Sequence, residues 1–308
     1  HDLMFGGERA DDSCGLLDHV RIEFAGYEAF ANNELNGLTL AGCGRNTVVR
    51  NVQVHQTLDD GIEIFGGTVD LRYVLITRPG DDGLDWDLGW TGRAQHVIVQ
   101  LDDDSGDNAI EADNRTGQPD AVPRSQPTLY NVTLVGPGVD THRLSRGIVL
   151  RSGTGAAFRN VLISGFYGEG IDIGDAATAE GVRSGDISFA ATLIYSSGPL
   201  GLEPLPDEAG PGEDDDGGFD EPSELTADGG ILVDVDPLLS GRFASVDAPD
   251  FRRSINSPLT AGAVSVPQMN SGTRRRPTWG LCVRGPTPRG TTNGLRSPRT
   301  EPKFETAH

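Results

Sequence analysis

Thr57–Gly67 reads TLDDGIEIFGG, and Pro79–Gly89, 22 residues on, reads PGDDGLDWDLG. Two short patterns alternate around this pair. The first is polar-apolar-polar-apolar, often led by Asn or His: HVRI at His19, NVQV at Asn51, YVLI at Tyr73, HVIV at His96, NVTL at Asn131, NVLI at Asn160 and TLIY at Thr192. The second is Gly-apolar-acidic-apolar or a near variant: GLTL at Gly37, GIEI at Gly61, GLDW at Gly83, AIEA at Ala109, GIVL at Gly147 and GIDI at Gly170. The first recurs from Val52 to Val74 to Val97, in steps of 22 and 23; the second from Ile62 to Leu84 to Ala109, in steps of 22 and 25. Alternation with period two predicts strands, and strands this short cannot bury an apolar face alone. Stacked coil on coil they make one continuous interior.

The expected architecture is therefore all-β: a right-handed parallel β-helix with coils of 22–25 residues, two or three short strands per coil, and equivalent residues of neighbouring coils about 4.8 Å apart. Longer steps, Val97 to Val132 and Val132 to Val161, predict loops at one corner. No amphipathic helix of useful length is evident, which argues against a βαβ fold. A β-sandwich or barrel is the alternative, but hairpin signals are scarce, LNGL at Leu35 being one candidate.

The segment Asn33–Gln100 resembles a family of exported bacterial β-helix proteins of pectate-lyase-like fold, often lipoproteins, with no established activity. The segment from Asp234, DVDPLLSGRF followed by DFRRSINSPLTAGA, resembles the closing segment of many secreted β-helix proteins. The resemblance implies a secreted or cell-surface location, with a lipid anchor upstream of His1 as one form of it. The stretch CGLLDHVRIEFAGYE already reads as a coil without a cap, which predicts further coils before it.

The β-helix domain is expected to span 1–273. Within it, 203–230 is acidic and rich in Pro and Gly, the composition of a loop that buries little; a calcium loop is the other reading, although the EF-hand register is missing. Residues 274–308 hold eight Arg or Lys against two Glu, with no apolar period, and are expected to be disordered. The net charge of −21 argues against nucleic acid as a partner and permits divalent cations. No apolar run reaches the length of a membrane span, and a monomer is expected. Cys14 and Cys43 could pair or remain buried thiols; with three cysteines there is no disulfide framework.

Alternation turns Ile62 and Ile64 inward and Glu63 outward, and does the same for Leu84, Trp86 and Asp85. Stacking then aligns Glu63, Asp85 and Glu111 on one outer face. Thr39 lies a coil earlier, Asp172 resumes the row after the loops, and Asp59/Asp60, Asp81/Asp82 and Asp107/Asn108 sit in the turn before it. Carboxylates about 5 Å apart must be solvated, partly protonated or bridged by cations. Calcium, which takes six to eight oxygens, suits Asp60, Glu63, Asp82 and Asp85; a solvated Asp-Gly turn is the plainer reading of any one Asp.

Two further chemistries use the same face. Paired carboxylates suit glycoside hydrolysis, with Asp60, Asp82 and Asp85 as candidate catalytic groups. TLDDGIEI is similar to the Asp-Asp coil of β-helical polygalacturonases, but that family's Gly-His-Gly and Arg-Ile-Lys elements are absent. A lyase acting on an acidic polysaccharide needs a base. The body has no lysine, which leaves Arg72, Arg93 and Arg115, and arginine is a poor base. Candidate contacts to a polysaccharide are Glu63, Trp86, Asp87, Trp90, Arg93 and Glu111. The tryptophans of DWDLGWTG stack on a sugar if exposed and fill the interior if not. The expected role is a carbohydrate- or calcium-binding surface protein, with a polysaccharide-active enzyme and a purely structural module as alternatives.

Overall fold

In the computed structural model, residues 5–28, 35–141, 143–195, 216–239, 249–254, 256–260 and 262–265 are described. The 274–308 tail and residues 203–215 lie outside them. The coils form two parallel sheets. The long-strand sheet runs in the order β1 (Leu16–Glu23), β3 (Val48–His55), β5 (Asp70–Thr77), β7 (Arg93–Gln100), β9 (Thr128–Val135), β11 (Ala156–Ser164), β13 (Ile187–Tyr195), β14 (Ile231–Val233). The short-strand sheet contains β2 (Leu38–Ala41), β4 (Ile62–Phe65), β6 (Leu84–Asp87), β8 (Asn108–Ala112), β10 (Arg146–Leu150) and β12 (Ile171–Ile173), again in coil order. Each strand pairs with its counterpart one coil away, as in Ile62↔Leu84 and Val52↔Val74. This is the right-handed parallel β-helix expected from the repeat.

The Asn or His that leads the first pattern has a conformational reason. His19, Asn51, Tyr73, His96, Asn131, Asn160 and Ala191 all take left-handed φ, between 52° and 61°, in the middle of the long strands. Asn and His tolerate that region better than most residues. The bend breaks the alternation, so Val49 and Val52 on either side of Asn51 both point inward and are buried. Facing them are Ile62 and Ile64, Leu84 and Trp86, Ile110 and Ala112, Ile148 and Leu150, all without exposure above 1%.

The glycine opening the β4 and β6 strands is required by closeness rather than flexibility. A Cβ on Gly61 would collide with Ile76 Cγ2 and stand 2.7 Å from the Gly83 carbonyl; one on Gly83 would strike Val99 Cγ1 and lie 2.6 Å from the Ala109 carbonyl. The next coil passes directly over the corner.

Several expectations are corrected. Asn36–Gly37 does not turn a hairpin; it leads into β2, with the Gly37 amide donating to Asp60 O in the next coil at 2.8 Å. A short helix, α1 (Ala176–Ser184), fills the corner between β12 and β13, its amides at Ala177 and Thr178 capped by Asp175 and its end closed by left-handed Gly185. The described half of the acidic segment, 216–230, packs against the coils: it holds a helical turn, α2 (Glu221–Glu224), and buries Phe219 and Leu225 in the core. Of the two readings left open for Cys14 and Cys43, the disulfide is the one found. The described part of the closing segment meets the outer side of the long-strand sheet, where Leu259 packs against Val135, Leu162 and Leu193 and the Val264 amide donates to Asn160 Oδ1 at 2.8 Å.

Candidate functional site

The short-strand sheet carries its outward residues in columns. One column is Thr39, Glu63, Asp85, Glu111, Val149 and Asp172. Three residues before it runs Asn36, Asp60, Asp82, Asn108, Arg146, and four before it Asp59, Asp81 and Asp107. Two residues after it stand Phe65, Asp87, Asp113 and Arg151. The β4, β6 and β8 coils therefore concentrate the carboxylates. They are bounded on one side by neutral Asn36 and Thr39 and on the other by arginines.

The Asp60 and Asp82 side chains knit the coils together. Asp60 Oδ1 accepts the Asp82 amide at 3.0 Å, and Asp82 Oδ1 accepts the Asn108 amide at 2.7 Å. Both residues are buried, at 6% and 4% exposure. Burial pushes the Asp60 carboxyl up to about 8, against the help of the Asp82 amide, with the charges of Glu63, Asp59 and Asp81 adding to the rise. Burial raises Glu63 to about 7 although Asn36 and Asp85 hydrogen-bond to it. Asp82 and Asp85 are held well above the carboxylate range, first by burial and then by neighbouring charges, those of Asp60 and Glu111 foremost. Asp81 rises to about 6 through burial, then Asp107 and Glu111. The cause is common to all: a desolvated carboxylate among others prefers a proton or a cation.

Three oxygens from Asp60, Glu63 and Asp85 lie within 4.8 Å of one another, as do three from Asp59, Asp60 and Asp81. Asp60 belongs to both groups. Several buried acceptors here have no hydrogen-bond partner: Asn36 Oδ1, Asp85 Oδ1, Asn108 Oδ1 and Asp113 Oδ1. Orphaned acceptors beside crowded carboxylates fit the donor set of a hard cation such as calcium, which is bound by carboxylate and amide oxygens.

Of the expected calcium ligands, Asp60, Glu63 and Asp85 come together. Asp82 stands outside both groups: one oxygen is committed to the Asn108 amide, and its carboxyl meets Glu111. Asp87 and Glu111 lie on the face as expected, and Asp87 accepts the amide of Leu88. The tryptophans do not. Trp86 and Trp90 are fully buried, with ring centroids 5.6 Å apart. Their indole N–H groups donate inside the protein, to Thr154 Oγ1 at 3.2 Å and Val69 O at 3.0 Å. Neither can stack on a sugar, because Trp86 shares the inward register of Leu84. Arg93 is also removed from the array. It opens β7 in the other sheet, where its Nε lies 3.1 and 3.2 Å from the two Asp70 oxygens.

Sequence reasoning missed Asn36, which donates to Glu63 Oε2 and, at 3.2 Å, to Thr39 Oγ1. It also missed Asp113 and Arg151. Counting the columns places all three at the edges of the face, but not which carboxylates they touch.

A family model described as a pectate-lyase-like β-helix domain matches residues 1–196. The chain belongs to this family. The match spans the coils that carry the array, from β1 through β13. No curated protein and no solved structure gives a significant match. Among the described residues, no helix is long and apolar enough to cross a membrane.

Proposed function

We propose that the acidic face of the short-strand sheet is a calcium-dependent carbohydrate-binding surface of an exported protein. The observation that carries the reading is the Asp60–Glu63–Asp85 cluster, three carboxylates close enough to share one ion, beside buried acceptors without partners. A calcium ion there would be held by these three residues. It would neutralise the face and offer open coordination positions to hydroxyl or carboxylate oxygens of a polysaccharide. Without the ion, an anionic polymer would meet repulsion from the same groups. The membership in a pectate-lyase-like family supports a polysaccharide as the partner, and the Cys14–Cys43 disulfide supports an oxidising, extracytoplasmic compartment.

The test is binding of polygalacturonate and of a neutral polysaccharide in calcium and in EGTA, with Glu63→Gln/Asp85→Asn as the control. Binding to either polymer in calcium that is lost in EGTA and in the variant is expected. Equal binding in all conditions, or none to either polymer, would reject the reading.

The raised acidity of this face supports a second reading, a glycoside hydrolase. Burial holds Glu63 and Asp85 above the usual carboxylate range, which suits a general acid; the base or nucleophile would be another carboxylate of the row, since directly hydrogen-bonded groups leave no room for a glycosidic bond between them. A reducing-sugar assay, together with absorbance from unsaturated ends, separates hydrolysis, elimination and neither.

A further inference from the structure

The array ends at the β8 coil, where arginines meet its carboxylates, and Arg151 meets the two buried deepest. In the outermost column Asp87 and Asp113 are followed by Arg151. Arg151 reaches back one coil: its Nη2 donates to Asp113 Oδ2 at 2.9 Å and to Glu111 Oε1. Glu111 also accepts Asn108 Nδ2 at 3.3 Å and meets the Asp82 carboxyl.

Two observations distinguish this place from an ordinary surface ion pair. Asp113 is 6% exposed and Asn108 5%, yet Asp113 Oδ1 and Asn108 Oδ1 have no hydrogen-bond partner. The guanidinium satisfies one oxygen of Asp113 and leaves a buried acceptor on the same carboxylate. In addition, the carboxylate groups that could close on one ion lie, among the described residues, in the β4 and β6 coils, although the β8 coil supplies Asp107, Glu111 and Asp113. The β8 carboxylates differ from them in that guanidiniums already hold all three: Arg151 is bound between Glu111 and Asp113, and Arg143 Nη2 donates to the more exposed Asp107 Oδ1 at 3.1 Å.

We propose that Arg151 is a tethered counter-ion that takes the cation position of the β8 coil and so terminates the calcium-binding array. The proposal rests on the reading of the β4 and β6 coils as cation sites. A guanidinium has fixed, planar donors and cannot exchange or offer open coordination positions, whereas a calcium ion can do both. Arg151 thereby sets how far along the solenoid a cation-dependent ligand can be held.

The experiment counts bound calcium by equilibrium dialysis and measures melting in calcium and in EDTA. It compares the full chain, Arg151→Met and Arg151→Met/Glu111→Gln/Asp113→Asn. Arg151→Met is expected to bind one more calcium per chain than the natural protein and to gain more in melting temperature from calcium. The triple variant is expected to lose both gains. An unchanged stoichiometry with an equal calcium response in Arg151→Met would overturn the proposal; calcium bound equally to both would leave the first cation reading intact, and none bound to either would reject it as well. An extra ion in Arg151→Met, with none in the natural chain, would uphold the counter-ion role and reject calcium at Asp60–Glu63–Asp85. If Arg151→Met folds only in calcium, the proposal stands. If it fails to fold in calcium while the triple variant folds, a free cation cannot replace the guanidinium and the proposal falls.

Discussion

Replacing Asp60 by Asn isolates the electrostatic cost of the array. Asn is already present at the equivalent position in two coils, Asn36 before it and Asn108 two coils after, so the backbone accepts the side chain. Its Oδ1 can still accept the Asp82 amide, as the carboxylate does at 3.0 Å. What changes is ionisation. Burial raises the Asp60 carboxyl from 3.8 to about 8 in the folded chain. A group raised on folding contributes stability that is complete below its unfolded value and is lost as pH climbs through its folded value. The window therefore runs from about pH 4 to about pH 8. At ~1.4 kcal/mol per unit the full shift corresponds to ~5–6 kcal/mol, and relaxation with water entry brings the working figure to ~3 kcal/mol. For a domain of this size that is a melting-temperature difference of about 6–12 °C. In EDTA the natural protein should lose melting temperature between about pH 4 and pH 8, and Asp60→Asn should lose distinctly less. The Asn variant should be the more stable of the two at the alkaline end. Under the proposed calcium reading the order should reverse, since calcium would bind the ionised form: at 100 times its dissociation constant it would add ~2.7 kcal/mol to the natural chain, and less to the variant that lacks a ligand. Thermal melting by circular dichroism reads all four curves. A melting temperature that is flat with pH in EDTA, or one that falls equally in both proteins, would refute the argument that Asp60 is a buried group stabilised by its proton.

Gly61→Ala should destabilise by ~1–3 kcal/mol, as overpacking does, because the new Cβ meets Ile76 and the Gly83 carbonyl; denaturant titration would show it, and a neutral result would mean that the corner can open. Thr154→Val leaves the fully buried Trp86 N–H without its acceptor and should cost ~1–3 kcal/mol, seen as a lower urea midpoint with no change in calcium stoichiometry.

The repeat alone determined the architecture. Apolar alternation at 22-residue steps permits few folds, because short strands must stack to bury both Ile62 and Ile64 and then Leu84 and Trp86 behind them. The row Glu63–Asp85–Glu111 followed from that stacking, since parallel pairing places identical offsets side by side. Other features were beyond local pattern. Alternation alone turns Trp86 inward beside Leu84, but Trp90 lies past the end of β6, and its burial against Trp86 is decided by tertiary packing. Arg93 is near the acidic motif in sequence but opens a strand of the opposite sheet. The left-handed bends at Asn51 and Asn160 reset the alternation, and no period in the sequence announces that. Asn36 and Arg151, which bound the array, come from coils 27 and 40 residues from the carboxylates they touch. Sequence dictates which faces must be buried; only the winding of the coils decides which charges then become neighbours, because that depends on distances set by the whole stack.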